Sequence, residues 1–181
     1  MKKIPLVIIF FHLLAPCFVL LLLCFFDGSA LAAGDEGPQT MEKKVVDLVN
    51  RARLKGARCG NRHYKATRPV EWNNTLAQAA KKHSLNMASK ENLGHTASDG
   101  SGPGERIARL GYKWMTYGEN VGVGYLTPEE VVNAWLKNQG HCENIMNPGF
   151  KEAGAAYVKG TKRTYWTLVL ATPEFSSHIR P

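Results

Sequence analysis

The sequence predicts an α/β protein, a three-layer α/β/α sandwich around a central antiparallel sheet. Two observations lead there. Amphipathic helical stripes fill most of the chain after residue 39, and two extended segments close it. The last of these, Thr164 to Thr172, is apolar on both faces, with Tyr165, Val169 and Ala171 on one side and Trp166, Leu168 and Leu170 on the other. A strand that is apolar on both faces needs cover on both sides. Helices that precede such strands can supply both covering layers.

The N-terminus reads differently from the rest. Lys2 and Lys3 precede an almost wholly apolar run, Ile4 to Phe26, broken by Pro5, His12 and Pro16. Asp27-Gly28-Ser29 ends the run, and Ala30-Leu31-Ala32 has the small-x-small pattern of a cleavage site. Residues 1–32 therefore read as a secretory signal peptide. The run is also long enough to span a bilayer, so an uncleaved anchor is the alternative. Either way the remainder is expected to be exported, to the cell envelope, the periplasm or the medium, with membrane contact only through this segment. Neither Cys17 nor Cys24 follows the small residues of a lipoprotein signal, and no lipid anchor is expected.

Residues 33–39 are small, polar and broken by Gly and Pro, and read as a flexible leader. The domain is expected over residues 40–173, with a short tail at 174–181. A helix starts near Thr40, with Val45, Val46, Leu48, Val49 and Ala52 on one stripe and Gly56 as its stop. Residues 57–70 are mixed and polar. Asn74 is a candidate cap for a second helix, whose stripe of Leu76, Ala80, His83 and Met87 makes His83 a satisfied core histidine. The stretch from Glu91 to Gly104 reads as a loop. Pro103 opens a short helix bearing Arg106, Ile107 and Leu110, and Gly111 ends it. Tyr117 to Tyr125 reads as a Gly-rich strand. Thr127-Pro128-Glu129-Glu130 is a capping box with Pro at the first helical position, and it turns Val131, Val132, Trp135 and Leu136 inward. Asn138 to Gly140 ends that helix. Ala153 to Val158 is the first closing strand, and Lys159 to Arg163 is the turn into the second.

The formal charge is +8 and becomes +7 when Lys2, Lys3 and Asp27 leave with the signal. The excess is spread over Lys43-Lys44, Lys81-Lys82 and Lys162-Arg163, with no aromatic-basic pattern or nucleic-acid motif. This points to solvated faces with a mild attraction to anionic envelope surfaces, and away from nucleic acid. Two cysteines remain beyond the signal, Cys59 and Cys142. In an oxidising compartment they are most simply a disulfide, worth about 4 kcal/mol in closing so long a loop. A catalytic Cys142 beside His141 is the rival, although adjacent residues rarely face each other for proton transfer.

Three polar groups in Gly-flanked segments could converge. They are His95 in Gly94-His95-Thr96, Glu119 in Gly118-Glu119-Asn120 and His141 in Gly140-His141-Cys142. Two imidazoles and a carboxylate can bind a divalent cation or move protons. They would leave an open coordination position that suits zinc. Each histidine can equally hydrogen-bond backbone in its loop, and Glu119 can bond backbone amides, as Asn120 is expected to do. His63 and His178 sit in polar segments and carry no assignment. Arg106 is expected to pair with Glu105 or a loop carboxylate. No Gly-Xaa-Ser-Xaa-Gly surrounds Ser101 and no His-Glu-Xaa-Xaa-His occurs, so standard hydrolase signatures are absent.

An ordered set of segments resembles the CAP superfamily of cysteine-rich secretory, antigen 5 and pathogenesis-related proteins, above all its small secreted bacterial members. The set comprises Val49-Asn50-Xaa-Xaa-Arg53, Leu76-Ala77-Xaa-Ala79-Ala80-Xaa-Xaa-His83-Ser84-Xaa-Xaa-Met87-Ala88, His95-Thr96, Asp99-Gly100-Ser101 and Glu105-Arg106-Ile107. It continues through Gly111-Tyr112, Gly118-Glu119-Asn120, Trp135-Leu136, Gly140-His141-Cys142-Xaa-Asn144-Ile145-Met146, Phe150 and Tyr165-Trp166-Thr167. The resemblance implies an α/β/α sandwich and a cleft of two histidines and two acidic residues that binds a divalent metal in several members. His95, Glu119 and His141 match three of the four. Asn138 stands where the second acid belongs and cannot serve as a carboxylate ligand or base. The bacterial members share that departure and a cysteine pair placed like Cys59 and Cys142. The reading that follows is an exported, monomeric binding module for a lipid, glycan or protein. The alternative is a metal-dependent hydrolase of peptides or wall polymers, with His95 and His141 on the cation and Glu119 as the candidate catalytic group.

Overall fold

The computed structural model describes residues 40–174. The signal segment, the leader and nearly all of the tail lie outside the described residues.

Helix α1 (Met41–Lys55) is capped by Thr40, whose hydroxyl accepts from the Lys43 N–H, and it stops at Gly56. Strands β1 (Ala57–Cys59) and β2 (Arg62–Tyr64) form a small antiparallel hairpin in the stretch that reads as mixed and polar. Strand β3 (Glu71–Trp72) leads into α2 (Asn74–Lys90). The cap of α2 is Asn73, one residue earlier than expected. Its Oδ1 accepts from the Thr75 and Leu76 amides, whereas Asn74 Oδ1 accepts from the Trp72 indole. Helix α3 (Pro103–Ala108), strand β4 (Trp114–Val123) and helix α4 (Pro128–Lys137) follow in the expected order. The capping box of α4 is formed, with Thr127 and Glu130 bonding each other's amides. Asn138 ends α4 and at once caps another helix, α5 (Gln139–Met146), where the sequence reading has only a stop. Strands β5 (Glu152–Lys159) and β6 (Thr164–Pro173) close the domain.

The main sheet has the order β3-β5-β6-β4. Strands β4, β5 and β6 pair antiparallel, and the two-residue β3 adds a parallel edge beside β5. The two faces of β6 divide as the alternation requires. Trp166, Leu168 and Leu170 pack with Val45, Val49, Val131, Trp135 and Ile145 of α1, α4 and α5. Val169 and Ala171 pack with Leu76, Ala79, Ala80 and Ile107 of α2 and α3. The result is the three-layer sandwich. Strand β5 is built of small residues because α2 lies directly on it. A Cβ on Gly154 would sit 2.1 Å from the Ala77 amide nitrogen, so only glycine fits there.

Arg53, at the end of the α1 stripe, is fully buried. Its guanidinium donates to the carbonyls of Arg68, Ile145, Asn147 and Phe150 at 2.7–3.3 Å. It thereby gathers α1, the segment before β3 and the end of α5, where carbonyls lack helical partners. Cys59 and Cys142 are bonded, 83 residues apart, and both are fully buried. The bridge ties the β1–β2 hairpin to α5 and leaves no thiol for a catalytic Cys142. Replacing both cysteines by serine is expected to cost about 4 kcal/mol in urea unfolding. The wild-type protein is expected to show no free thiol at these positions after denaturation.

Candidate functional site

Strand β4 is an edge of the sheet, and it sends successive side chains into different layers. Glu119 pairs in register with Val169, and so shares the α2–α3 face. Asn120 pairs with Leu168 and shares the α1–α4–α5 face. The Gly118-Glu119-Asn120 tripeptide thus bridges the two layers at the sheet edge.

On the first face Glu119 is the one buried carboxylate among the described residues. Arg106 Nη2 donates to its Oε2 at 2.6 Å, and His95 Nδ1 donates to its Oε1 at 2.9 Å. Arg106 therefore pairs neither with Glu105 nor with a loop carboxylate. Glu105 instead caps its own helix by accepting from the Gly102 amide. Arg106 Nη1 also donates to the carbonyls of His95 and Ser101, at 2.9 and 2.8 Å. One guanidinium thus holds both ends of the loop that carries His95. A buried arginine beside a buried glutamate is tolerated because each supplies the other's missing counter-charge.

His83, on the buried stripe of α2, completes this layer. Its Nε2 donates to the Gly94 carbonyl at 2.7 Å and lies 3.7 Å from Glu119 Oε1. With the proton on Nε2, Nδ1 is left as a bare acceptor, and it is buried without a partner. The ring is a core histidine, but only half satisfied. Burial lowers its pKa, against the pull of Glu119.

On the other face Asn120 Nδ2 donates to the His141 carbonyl at 3.0 Å, and Asn144 Nδ2 donates to the Glu119 carbonyl and to Asn120 Oδ1. A Cβ on Gly118 would meet Phe150 Cζ at 2.9 Å and Asn144 Oδ1 at 3.2 Å. Glycine there lets α5 close on the strand. His141 sits in the first turn of α5, and its N–H is capped by Asn138 Oδ1 at 3.1 Å. Asn138 is thus spent as a helix cap. His141 is close enough to His95 for that ring's charge to lower its pKa, after the larger effect of its own burial.

The arrangement brings His95 and Glu119 into direct contact, and the bond from Asn120 to its carbonyl holds His141 against the same edge strand. The Glu119 bond fixes the His95 tautomer and leaves Nε2 of this half-exposed ring for a ligand. A catalytic zinc takes three protein ligands and keeps an open position. Here both Glu119 oxygens and the Asn138 oxygen are engaged, which leaves two imidazoles. Among the described residues no three or more His, Cys, Asp or Glu side chains are grouped to hold a cation. Sequence reasoning gives Arg106 and His83 structural roles but misses that both close on Glu119. The available signal was that each is titratable, sits on an apolar stripe and needs a buried partner.

The sequence model of the cysteine-rich secretory protein family, CAP, matches residues 46–170. The chain is 35% identical over 126 residues to the uncharacterized protein YkwD of Bacillus subtilis (strain 168), covering 70% of this chain and 45% of that one. It is 27% identical to the uncharacterized membrane protein YlbC of the same organism, covering 71% and 33%. The chain thus spans under half the length of these curated relatives. Among solved structures it resembles an extracellular protein containing a SCP domain from Bacillus anthracis str. Ames. The TM-score is 0.61 at 20% identity, over 75% of this chain and 44% of that one.

His95 is expected to titrate apart from His83 and His141. The Glu119 hydrogen bond raises the His95 pKa, while burial lowers those of His83 and His141. NMR of the imidazole protons should place His95 above the ordinary value of about 6.5 and the other two below it. The signs for stability oppose each other. The His95 contribution is complete below about pH 6.5 and lost as pH rises through its folded pKa. Those of His83 and His141 are present above about pH 6.5 and lost as pH falls through theirs. His95→Gln should therefore make acid destabilisation steeper, and His83→Phe should make it shallower.

Proposed function

We propose that this chain, which belongs to the cysteine-rich secretory protein family, is an exported, monomeric binding module and not a hydrolase. The observation that carries this reading is the state of Glu119. A general base needs a free lone pair directed at the proton it removes. The side chain of Glu119 is 2% exposed, with one oxygen on Arg106 and the other on His95. The carboxylate orients an imidazole and holds a loop. Export is supported by the Cys59–Cys142 bridge, since disulfides persist in oxidising compartments.

Of the three expected ligand classes (lipid, glycan and protein), the polar lining favours a glycan. His95 Nε2 and the His141 ring are hydrogen-bonding groups that suit hydroxyls. A divalent cation, zinc first, is compatible with the two imidazoles as a weak and dispensable guest.

The test uses the protein recovered after export, with soluble wall-glycan fragments and zinc as probes. Saturable glycan binding is expected, weakened about tenfold in His141→Ala, the value of one lost ligand hydrogen bond of about 1.4 kcal/mol. No product release is expected, with or without zinc. Binding of lipid or protein but not of glycan would move the ligand class. Zinc-dependent turnover that Glu119→Gln abolishes at unchanged thermal midpoint would replace the module with the hydrolase.

A further inference from the structure

Beyond the C-terminal end of β4, well apart in sequence from the cleft histidines, an apolar side chain is held out in water. Leu126 is 66% exposed. The connection that carries it is firmly anchored. The Gly124 N–H donates to the Thr164 carbonyl at 2.9 Å. The Tyr125 carbonyl accepts from Thr164 Oγ1 at 2.6 Å and from Trp166 Nε1 at 2.8 Å. The Leu126 N–H donates to Glu130 Oε2 at 2.7 Å. A backbone fixed on both sides of Leu126 presents that side chain outward as part of the folded structure.

The turn between β5 and β6 lies beside it. Leu126, Val123, Lys159, Lys162 and Arg163 line a common cavity of about 400 Å³. Lys162 pairs with Glu91 at 2.8 Å, and both side chains are exposed, so this pair is weak. Lys159 and Arg163 have no ion-pair partner among the described residues. Among the described residues, the acids that bond at this corner are Glu91, on Lys162, and Glu130, whose Oε2 accepts from backbone amides, and exposed Glu129 stands next to Glu130.

We infer that this corner docks on an anionic lipid bilayer, with Leu126 entering the interface and Lys159, Lys162 and Arg163 meeting the phosphate headgroups. A fixed apolar residue bordered by cations is complementary to a surface that is apolar beneath and negative above. A soluble polyanion would engage the cations and leave the leucine in water. An apolar protein face would engage the leucine and strand the cations. The inference is independent of the cleft and of what the cleft binds. It goes beyond the sequence expectation that membrane contact is confined to the N-terminal segment.

The test is amide hydrogen exchange of the full chain in vesicles of phosphatidylcholine, with and without phosphatidylglycerol. Exchange over residues 124–127 and 159–163 is expected to slow only when phosphatidylglycerol is present. Lys159→Gln with Arg163→Gln should weaken docking by about fivefold for each cation removed. Leu126→Ala should weaken it by about tenfold. Lys65→Gln with Arg68→Gln removes the same charge from exposed positions after β2 and should leave the protection intact. Equal exchange in the two vesicle types would overturn the inference. So would protection that survives both corner variants, or protection lost equally in the Lys65 and Arg68 control. Equal protection by soluble polyphosphate in phosphatidylcholine vesicles would also overturn it, in favour of a soluble polyanion.

Discussion

A carboxylate almost wholly removed from water must be compensated on both oxygens, and the compensation of Glu119 organises the candidate site. Arg106 and His95 supply it from α3 and from the loop before that helix. The same guanidinium then reaches the carbonyls of His95 and Ser101, so charge compensation and loop closure are one act. His83 adds a bond to the Gly94 carbonyl from below. The position of the half-exposed His95 ring therefore follows from a network whose centre is buried. That is why Glu119 reads as a positioning group: each of its oxygens already accepts from a protein donor, and the side chain is almost wholly buried.

The edge strand makes the second half of the cleft possible. Alternation along β4 sends Glu119 to the α2–α3 layer and Asn120 to the α5 layer, so adjacent residues organise opposite sides of the sheet. Gly118 removes the side chain that would keep Phe150 and Asn144 away. Asn120 and Asn144 then tie the strand to the start of α5, and the Cys59–Cys142 bond fixes α5 to the hairpin behind it. Asn138, at the place of the second acid in the family's four-group cleft, instead caps α5 and sets where His141 begins. The site gains a well-defined helix start, and Glu119 is the one buried carboxylate among the described residues.

Much of the frame was legible because local chemistry agrees with tertiary demand. Thr40 and Gly56 bracket α1, Thr127 and Glu130 open α4, and the two apolar faces of β6 call for two helical layers. The short elements were not legible. Strands of two or three residues, such as β1, β2 and β3, carry no periodicity to read. Helix α5 follows α4 after a single extended residue, Asn138 (φ −87°, ψ 125°), with no loop to announce it. The cap of α2 is one of two adjacent asparagines, and only the Trp72 indole decides which is free to cap. At the site, His95, Glu119 and His141 stood out by residue type and glycine flanks. The Arg106–Glu119 pair did not, because side chains 13 residues apart on a short helix and a strand meet only through the fold.

Glu119 and Arg106 act as one structural unit at the centre of this site. A double-mutant cycle with Arg106→Met and Glu119→Gln, followed by urea unfolding, measures this directly. Each single substitution is predicted to cost about 3–5 kcal/mol by stranding the partner's charge. The double variant should cost little more than either, giving a coupling of about 3 kcal/mol. Additive losses to within about 0.5 kcal/mol, with Glu119→Gln alone nearly neutral, would contradict it. The carboxylate would then be a group the fold can spare, and so one available for chemistry.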